Sequence, residues 1–531
     1  MIFRWIAFIV SWFLLISTGL SQGNIPIKTS SGVLKQKAVL LDVPDTSQYA
    51  GRFQSTGLVQ FPNATRWRFY DDKKKLAKIK ASEGMDDLYY QIELLEDYVT
   101  KFGIRNFRDN IQMVWKLARL KELAGDTAAA VFYYEQAIKH NRSQLVPRLA
   151  YDTLVAPTKS EWLPLDTYYK LLKVRKRMDP LIPENPVRQN MGTLINSSYA
   201  DYAPMMNHSD SVLIFTSRRE NQDLVDPFQQ ANEELYFSVK DFMDGGWQEA
   251  EKFDEAINSD VNEGSACLSP DGKTLYFTRC NSPDGMGDCD IFQATYDVGK
   301  WVAIKSLGPM VNSRSWDSQP NITADGNVLF FASNRFGGFG GVDLYYTQKL
   351  SDGTWSRAQN LGPVINTPRD EVTPFFHSIN STLYFGTTGQ LMNYGDFDIM
   401  KSRWMENQWE EPNNLGPLIN SATSEYYFSI DSKGANIFYA SAKRGEGIHE
   451  DMDFDLFSFP MPMESRPDAV TKLQGILRDS VTGYALRGAV MVVDLDNGVE
   501  IAPKRINEKG YFEFDLKNNN RYRLYVIGDN F

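Results

Sequence analysis

The stretch LGPMVNS at residues 307–313 returns 54 residues later as LGPVINT (361–367), and again 54 residues on as LGPLINS (415–421). Looser copies stand upstream, FDEAINS at 253–259 and MGTLINS at 191–197. Their asparagines are Asn196, Asn258, Asn312, Asn366 and Asn420, and a tryptophan column, Trp247, Trp301, Trp355 and Trp409, keeps the same 54-residue step. Two columns in step over such a distance define an array in which each unit buries one face against the next.

Within each unit the pattern is of short strands. LIFTSR (213–218), LYFTRC (275–280), LFFASN (329–334), LYFGTT (383–388) and IFYASA (437–442) are rich in aromatic and branched residues. Asp271-Gly272 and Asp325-Gly326 precede two of them with the pair that favours tight hairpins. A second strand follows in every unit: EELYFSV (233–239), CDIFQAT (289–295), VDLYYTQ (342–348), FDIMKSR (397–403) and FDLFSFP (454–460). The tryptophan begins a third strand and the stretch after the asparagine supplies a fourth, which predicts the blade of a β-propeller. There are five copies of the central strands but four tryptophan strands. Residues 187–194 lie in the matching register, so they are expected to pair with the 453–459 strand and close a five-bladed ring without exposed edges.

The segment SPDGKTLYFT (269–278) resembles the WD40-like propeller repeat of the TolB type, and the resemblance covers residues 187–460. Five blades, rather than the six of that type, is this sequence's own count. The recurrent Asp290, Asp343, Asp398 and Asp455 suit a carboxylate that accepts bonds from nearby backbone N–H groups. The tryptophan column suits packing between blades better than a sugar platform.

The flanks read differently. Residues 1–21 place Arg4 before an apolar run and small residues after it, the order of a secretory signal peptide, with a retained anchor helix as the alternative. Residues 22–65 lack sustained periodicity, and 66–185 turn helical. In the latter, WKLARLKELAGDTAAAVFYYEQAIKHN (115–141) breaks at Gly125-Asp126 and resembles a tetratricopeptide hairpin, or else belongs to an ordinary bundle. The propeller is placed at 186–461, with a proline-flanked linker at 461–466. Residues 462–531 alternate like a small sandwich and are similar to the carboxypeptidase-regulatory-like domain. So short a sandwich wants either one more strand or a partner at its edge. The fold class is therefore mainly β, with an α segment ahead of it.

Composition limits the partners. Among 531 residues, 56 Lys and Arg face 67 Asp and Glu, a net charge of −11 that speaks against nucleic acid. In an exported, oxidising space Cys280 and Cys289 are candidates for a disulfide across their loop, and Cys267 reads as a buried thiol. Four histidines with no HExxH and no G-x-S-x-G elbow lead to the expectation that the chain is not an enzyme and takes no cofactor. Oxygen-rich loops offer one calcium candidate, Asp284 and Asp288 with Asp451 and Asp453, against a reading as solvated loops.

The domain order is similar to that of periplasmic OmpA-family, PorE-like proteins of Bacteroidota, accessory to type IX secretion, without the C-terminal OmpA-like domain. The resemblance implies a periplasmic scaffold or adaptor at the outer membrane that binds envelope proteins. Peptidoglycan would be reached only through the domain not seen here. The alternative is a propeller that binds a glycan or small ligand in its central funnel.

Overall fold

The computed structural model describes residues 61–143, 145–159, 161–164, 167–168, 170–171, 188–219, 232–241, 245–442, 454–496 and 499–528. The expected signal peptide, and Asp451 and Asp453 of the calcium candidate, lie outside the described residues. The molecule is mainly β. Among the described residues no helix is long and apolar enough to cross a membrane.

Residues 189–460 fold into five small antiparallel sheets. Sheet 1 holds Asp201–Met206, Val212–Ser217, Glu234–Val239 and Glu251–Lys252, and sheet 2 holds Glu263–Leu268, Thr274–Cys280, Cys289–Asp297 and Lys300–Ser306. Sheet 3 holds Asp317–Ile322, Val328–Ser333, Asp343–Gln348 and Gln359–Asn360. Sheet 4 holds Glu371–His377, Thr382–Thr387, Asp398–Met405, Gln408–Trp409 and Asn413–Asn414. Sheet 5 is Phe428–Ile430, Asn436–Ala442 and Phe454–Pro460, with Gln189–Asn190 as its outer strand. Gln189 pairs with Ser458 and Asn190 with Phe457, so the end of the array is joined to its beginning.

The first strands of the sheets touch in a cycle that runs from sheet 1 to sheet 5 and back. Apolar clusters fill each junction. Ile214 and Leu235 meet Leu275 and Phe277, Tyr276 meets Leu329 and Phe331, and Phe330 meets Leu383 and Phe385. Tyr384 then meets Ile437, and Phe438 and Leu456 meet Leu213 and Phe215. The first strands of sheets 1 to 4 each carry a bulge, and Ala203, Ser265, Gln319 and Thr373 hold positive φ at the same repeat position. Four non-glycine residues in that region are held there by the packing around them.

The asparagine column has one job in all five copies. Each side chain takes the N–H and the C=O of a single residue on the third strand. Asn258 holds Leu235, Asn312 holds Ile291, Asn366 holds Leu344 and Asn420 holds Ile399, at 2.8–3.0 Å. Asn196 does the same for Leu456 of sheet 5, at 2.7 and 3.0 Å, across 260 residues of chain. An amide has one donor and one acceptor side, and this use fills both.

The outer strands follow the sequence reading in part. Trp301 lies in the outer strand of sheet 2, and Trp409 pairs with Trp404 in sheet 4. Trp247 and Trp355 make isolated bridges, to Lys240 and Lys349, and in sheets 1 and 3 the outer strand begins four positions beyond the tryptophan. The rings also pack between sheets: Trp355 meets Tyr276 of sheet 2 edge-on at 6.0 Å, and Trp409 meets Phe330 of sheet 3 at 6.4 Å. Cys280 and Cys289, cross-strand partners in sheet 2, form a disulfide, and Cys267 is buried and free.

Ahead of the sheets come α1 (Lys73–Ser82), α2 (Leu88–Val99), α3 (Asn106–Asp109), α4 (Ile111–Leu123), α5 (Thr127–His140) and α6 (Leu145–Val155). Asp72, Asp87 and Asp126 cap α1, α2 and α5 by accepting N–H groups of the first turn. The break between α4 and α5 falls at Gly125-Asp126, and Tyr134 of α5 donates to Glu122 of α4 at 2.8 Å.

At the far end Gly488–Asp494 lies between Val499–Arg505 and Tyr522–Gly528, and Ala469–Ile476 pairs with Tyr511–Lys517. The extra strand this sandwich lacked comes from the chain itself. Glu161–Trp162 adds to the Val499–Arg505 edge, with Glu161 opposite Arg505 and Trp162 opposite Lys504. A stretch assigned to the helical segment therefore belongs to the C-terminal sheet. The supposed linker is a buried joint: Met461, Met463 and Ser465 have no exposed surface. Lys401 of sheet 4 donates to the carbonyls of Glu464 and Arg466, and Tyr384 donates to that of Ser465 at 2.8 Å.

Candidate interaction surface

A second column sits beside the asparagines. The residue after each asparagine donates its N–H and hydroxyl to a carboxylate four positions on: Ser197 to Asp201, Ser259 to Glu263, Ser313 to Asp317, Thr367 to Glu371 and Ser421 to Glu425. In sheets 1 to 3 an arginine neutralises the carboxylate: Arg219 with Asp201, Arg279 with Glu263, Arg335 with Asp317. The same guanidinium also takes a backbone carbonyl, that of Ile195, Ile257 or Val311.

Sheet 4 breaks the pattern. Where Arg219 and Arg335 stand in their copies, it has Gly389, and a Cβ there would lie 1.7 Å from Thr367 Oγ1. Among the described residues Glu371, wholly buried, keeps bonds only from Thr367 and Thr387, and burial pushes its carboxyl up to about 8. Gln390 takes the Ile365 carbonyl in place of an arginine.

The helices dock on this sheet. Arg142, just beyond α5, donates to the carbonyls of Gly389 and Gln390 at 2.5 and 2.8 Å. Lys139, fully buried, donates to Val364 O at 2.9 Å and pairs with Glu411, which also accepts from Gln136 at 2.9 Å. His140 donates to Pro363 O at 3.0 Å, and burial holds its ring down to about 3, so it stays neutral. Beside this clasp Glu135 bonds Tyr151, and burial pushes its carboxyl up to about 8.

Docking the helices forms a groove. A cavity of about 220 Å³ opens between Arg68, Arg105 and Arg108 on one side and Phe336, Gly337 and Gly338 on the other. Phe107, His140 and Phe339 form its floor through ring contacts of 4.9–5.6 Å. Arg68 stacks on Phe336 at 5.0 Å, and Arg105 lies over Phe69 at 5.8 Å. Phe336 is 85% exposed and Trp67 60%.

The axis of the ring has less room. The first strands converge there through Pro204, Met205, Pro320, Pro374, Gln319 and Tyr427, leaving about 30 Å³, the space of a water.

Other sequence candidates separate. Asp284 and Asp288 are exposed, while Asp290 turns inward to accept from Met286 and Gly287 at 2.6 and 3.1 Å. Among the described residues no group of three or more His, Cys, Asp or Glu side chains is placed to hold a metal ion. Asp343 and Asp398 likewise accept backbone N–H groups of the preceding loop, and Asp455 accepts from Asn190. The groove was missed in the sequence. Its one linear trace is Arg66-Trp67-Arg68-Phe69, four exposed residues in a row.

No protein-family model matches the chain, and no curated protein does. Similar solved structures include an α-L-arabinofuranosidase from Lactobacillus brevis, at 10% identity over 49% of this chain and 90% of that one, TM-score 0.33. A thermostable family-43 glycoside hydrolase shares 12% over 49% and 89%, TM-score 0.34. A luciferin-regenerating enzyme shares 10% over 52% and 95%, TM-score 0.30. These neighbours overturn the expectation that the chain is not an enzyme. That expectation rested on the absence of histidine and serine motifs, which cover only part of enzyme chemistry. At this similarity no catalytic residue carries over to the chain.

Proposed function

We propose that the chain is an exported scaffold that holds other envelope proteins at the outer membrane, with its five sheets as the blades of one propeller. The observation that carries this reading is the double docking on sheet 4. The Lys139–Glu411 clasp joins it to the helices and the buried Met461–Ser465 joint ties it to the C-terminal sandwich, so three regions present their surfaces in a set geometry. Rigid presentation of several loop-rich surfaces suits recognition of proteins. The Cys280–Cys289 disulfide supports an oxidising compartment, as the periplasm of an OmpA-family relative would be.

Cross-linking of the full chain in an envelope extract, followed by purification, tests this. Reproducible recovery of outer-membrane or secretion-machinery proteins is the expected result. Retention on polysaccharide with no protein recovered would overturn it, in favour of a glycan binder.

A further inference from the structure

We propose that the groove between residues 66–69, α3 and the Phe336 loop docks an acidic peptide segment of a partner protein; the inference rests on the scaffold reading and names its site. Three arginines line the cavity and no carboxylate does. The neighbouring Asp109 is shared between Arg105 and Arg108, at 2.6 and 3.0 Å. Among the described residues no ion pair is formed by Arg68. Its guanidinium instead lies over the Phe336 ring, 5.0 Å from the centroid, which leaves its N–H groups for an incoming carboxylate. A chain of net charge −11 has gathered an unneutralised basic spot at one place.

The aromatic residues decide between a peptide and a flat anionic surface. Phe336 lines the cavity, Trp67 and Phe69 flank Arg68 along the chain, and all three are more than 40% exposed. The cavity, of about 220 Å³, has the size of one large apolar side chain. Arginine with aromatic anchors around a pocket is the composition of a protein-recognition hot spot. A lipid surface would press on a convex basic face and would have no use for a pocket.

The test is fluorescence anisotropy of the full chain with a labelled peptide carrying glutamates on either side of one tryptophan. The same peptide with lysines is the control. The expected result is binding of the acidic peptide alone, weakened by salt and reduced about tenfold or more by Arg68→Glu or Arg108→Glu. Phe336→Ala, an exposed change that leaves folding intact, is expected to weaken binding with the melting temperature unmoved. Equal binding of both peptides, or indifference to the arginine variants, would overturn the proposal. So would arginine-dependent sedimentation with phosphatidylglycerol vesicles when the peptide does not bind. If wild type and arginine variants recover the same envelope proteins, the scaffold reading stands and this site falls. If the peptide binds while no envelope protein is recovered, the site stands and the scaffold reading falls.

Discussion

Sheets 1, 2 and 3 and sheet 4 bury the same carboxylate in the same turn, but they settle its charge in different ways. In the first three an arginine from the sheet itself lies against Asp201, Glu263 or Asp317. In sheet 4 Gly389 leaves no room for a side chain, Glu371 makes no ion pair among the described residues, and Arg142 arrives from the helices to bind the Gly389 and Gln390 carbonyls. The difference shows how a repeat array becomes an asymmetric molecule. Sheet 4, which lacks the neutralising arginine of sheets 1 to 3, is one on which both neighbouring regions settle.

The comparison can be broken most severely at Lys139. Lys139→Ala strips the buried partner from Glu411 and leaves Val364 O unpaired, so urea unfolding should report a loss of about 3–4 kcal/mol. Amide exchange should rise first in α5 rather than in sheets 1 to 3.

Turning an ordinary sheet into one like sheet 4 costs somewhat less. Arg335→Ala leaves Asp317 buried without its cation and should destabilise by about 2–3 kcal/mol. Arg142→Ala should cost about 1–2 kcal/mol, because its two carbonyls lose a charged donor. If both variants gave the same loss, the distinction between in-sheet and borrowed arginines would not hold.

The effect most specific to one group is on pH. Glu371 titrates at about 8 in the folded chain, above its ordinary value of 4.5, so the folded state keeps a proton that the unfolded chain releases. Stability contributed by this group is complete below pH 4.5 and declines as pH rises toward 8, by at most about 1.4 kcal/mol per unit. Thermal melts of Glu371→Gln across that range should show a flatter profile than the parent.

The repeat was readable because its function is chemical and local. An asparagine that must offer one donor and one acceptor to a strand has no substitute of the same shape, so the column persists at Asn196, Asn258, Asn312, Asn366 and Asn420. The carboxylate column was less visible because Asp and Glu alternate in it. The docking of the helices could be glimpsed only as a gap: two residues beyond the second strand of sheets 1, 3 and 4, Arg219 and Arg335 correspond to Gly389. The groove and the Glu161–Trp162 strand had no comparable trace. Each depends on segments far apart in the chain meeting across a surface, and two residues carry no periodicity of their own.

The pairing of Gln189 and Asn190 with Phe457 and Ser458, reinforced by Asn196 on Leu456, has a kinetic side. During synthesis, the leading portion must wait for some 260 later residues before its final hydrogen bonds exist. Contacts so distant along the polypeptide slow folding. The unfinished molecule thus stays pliable until nearly all of it has been delivered, and becomes rigid at the last step.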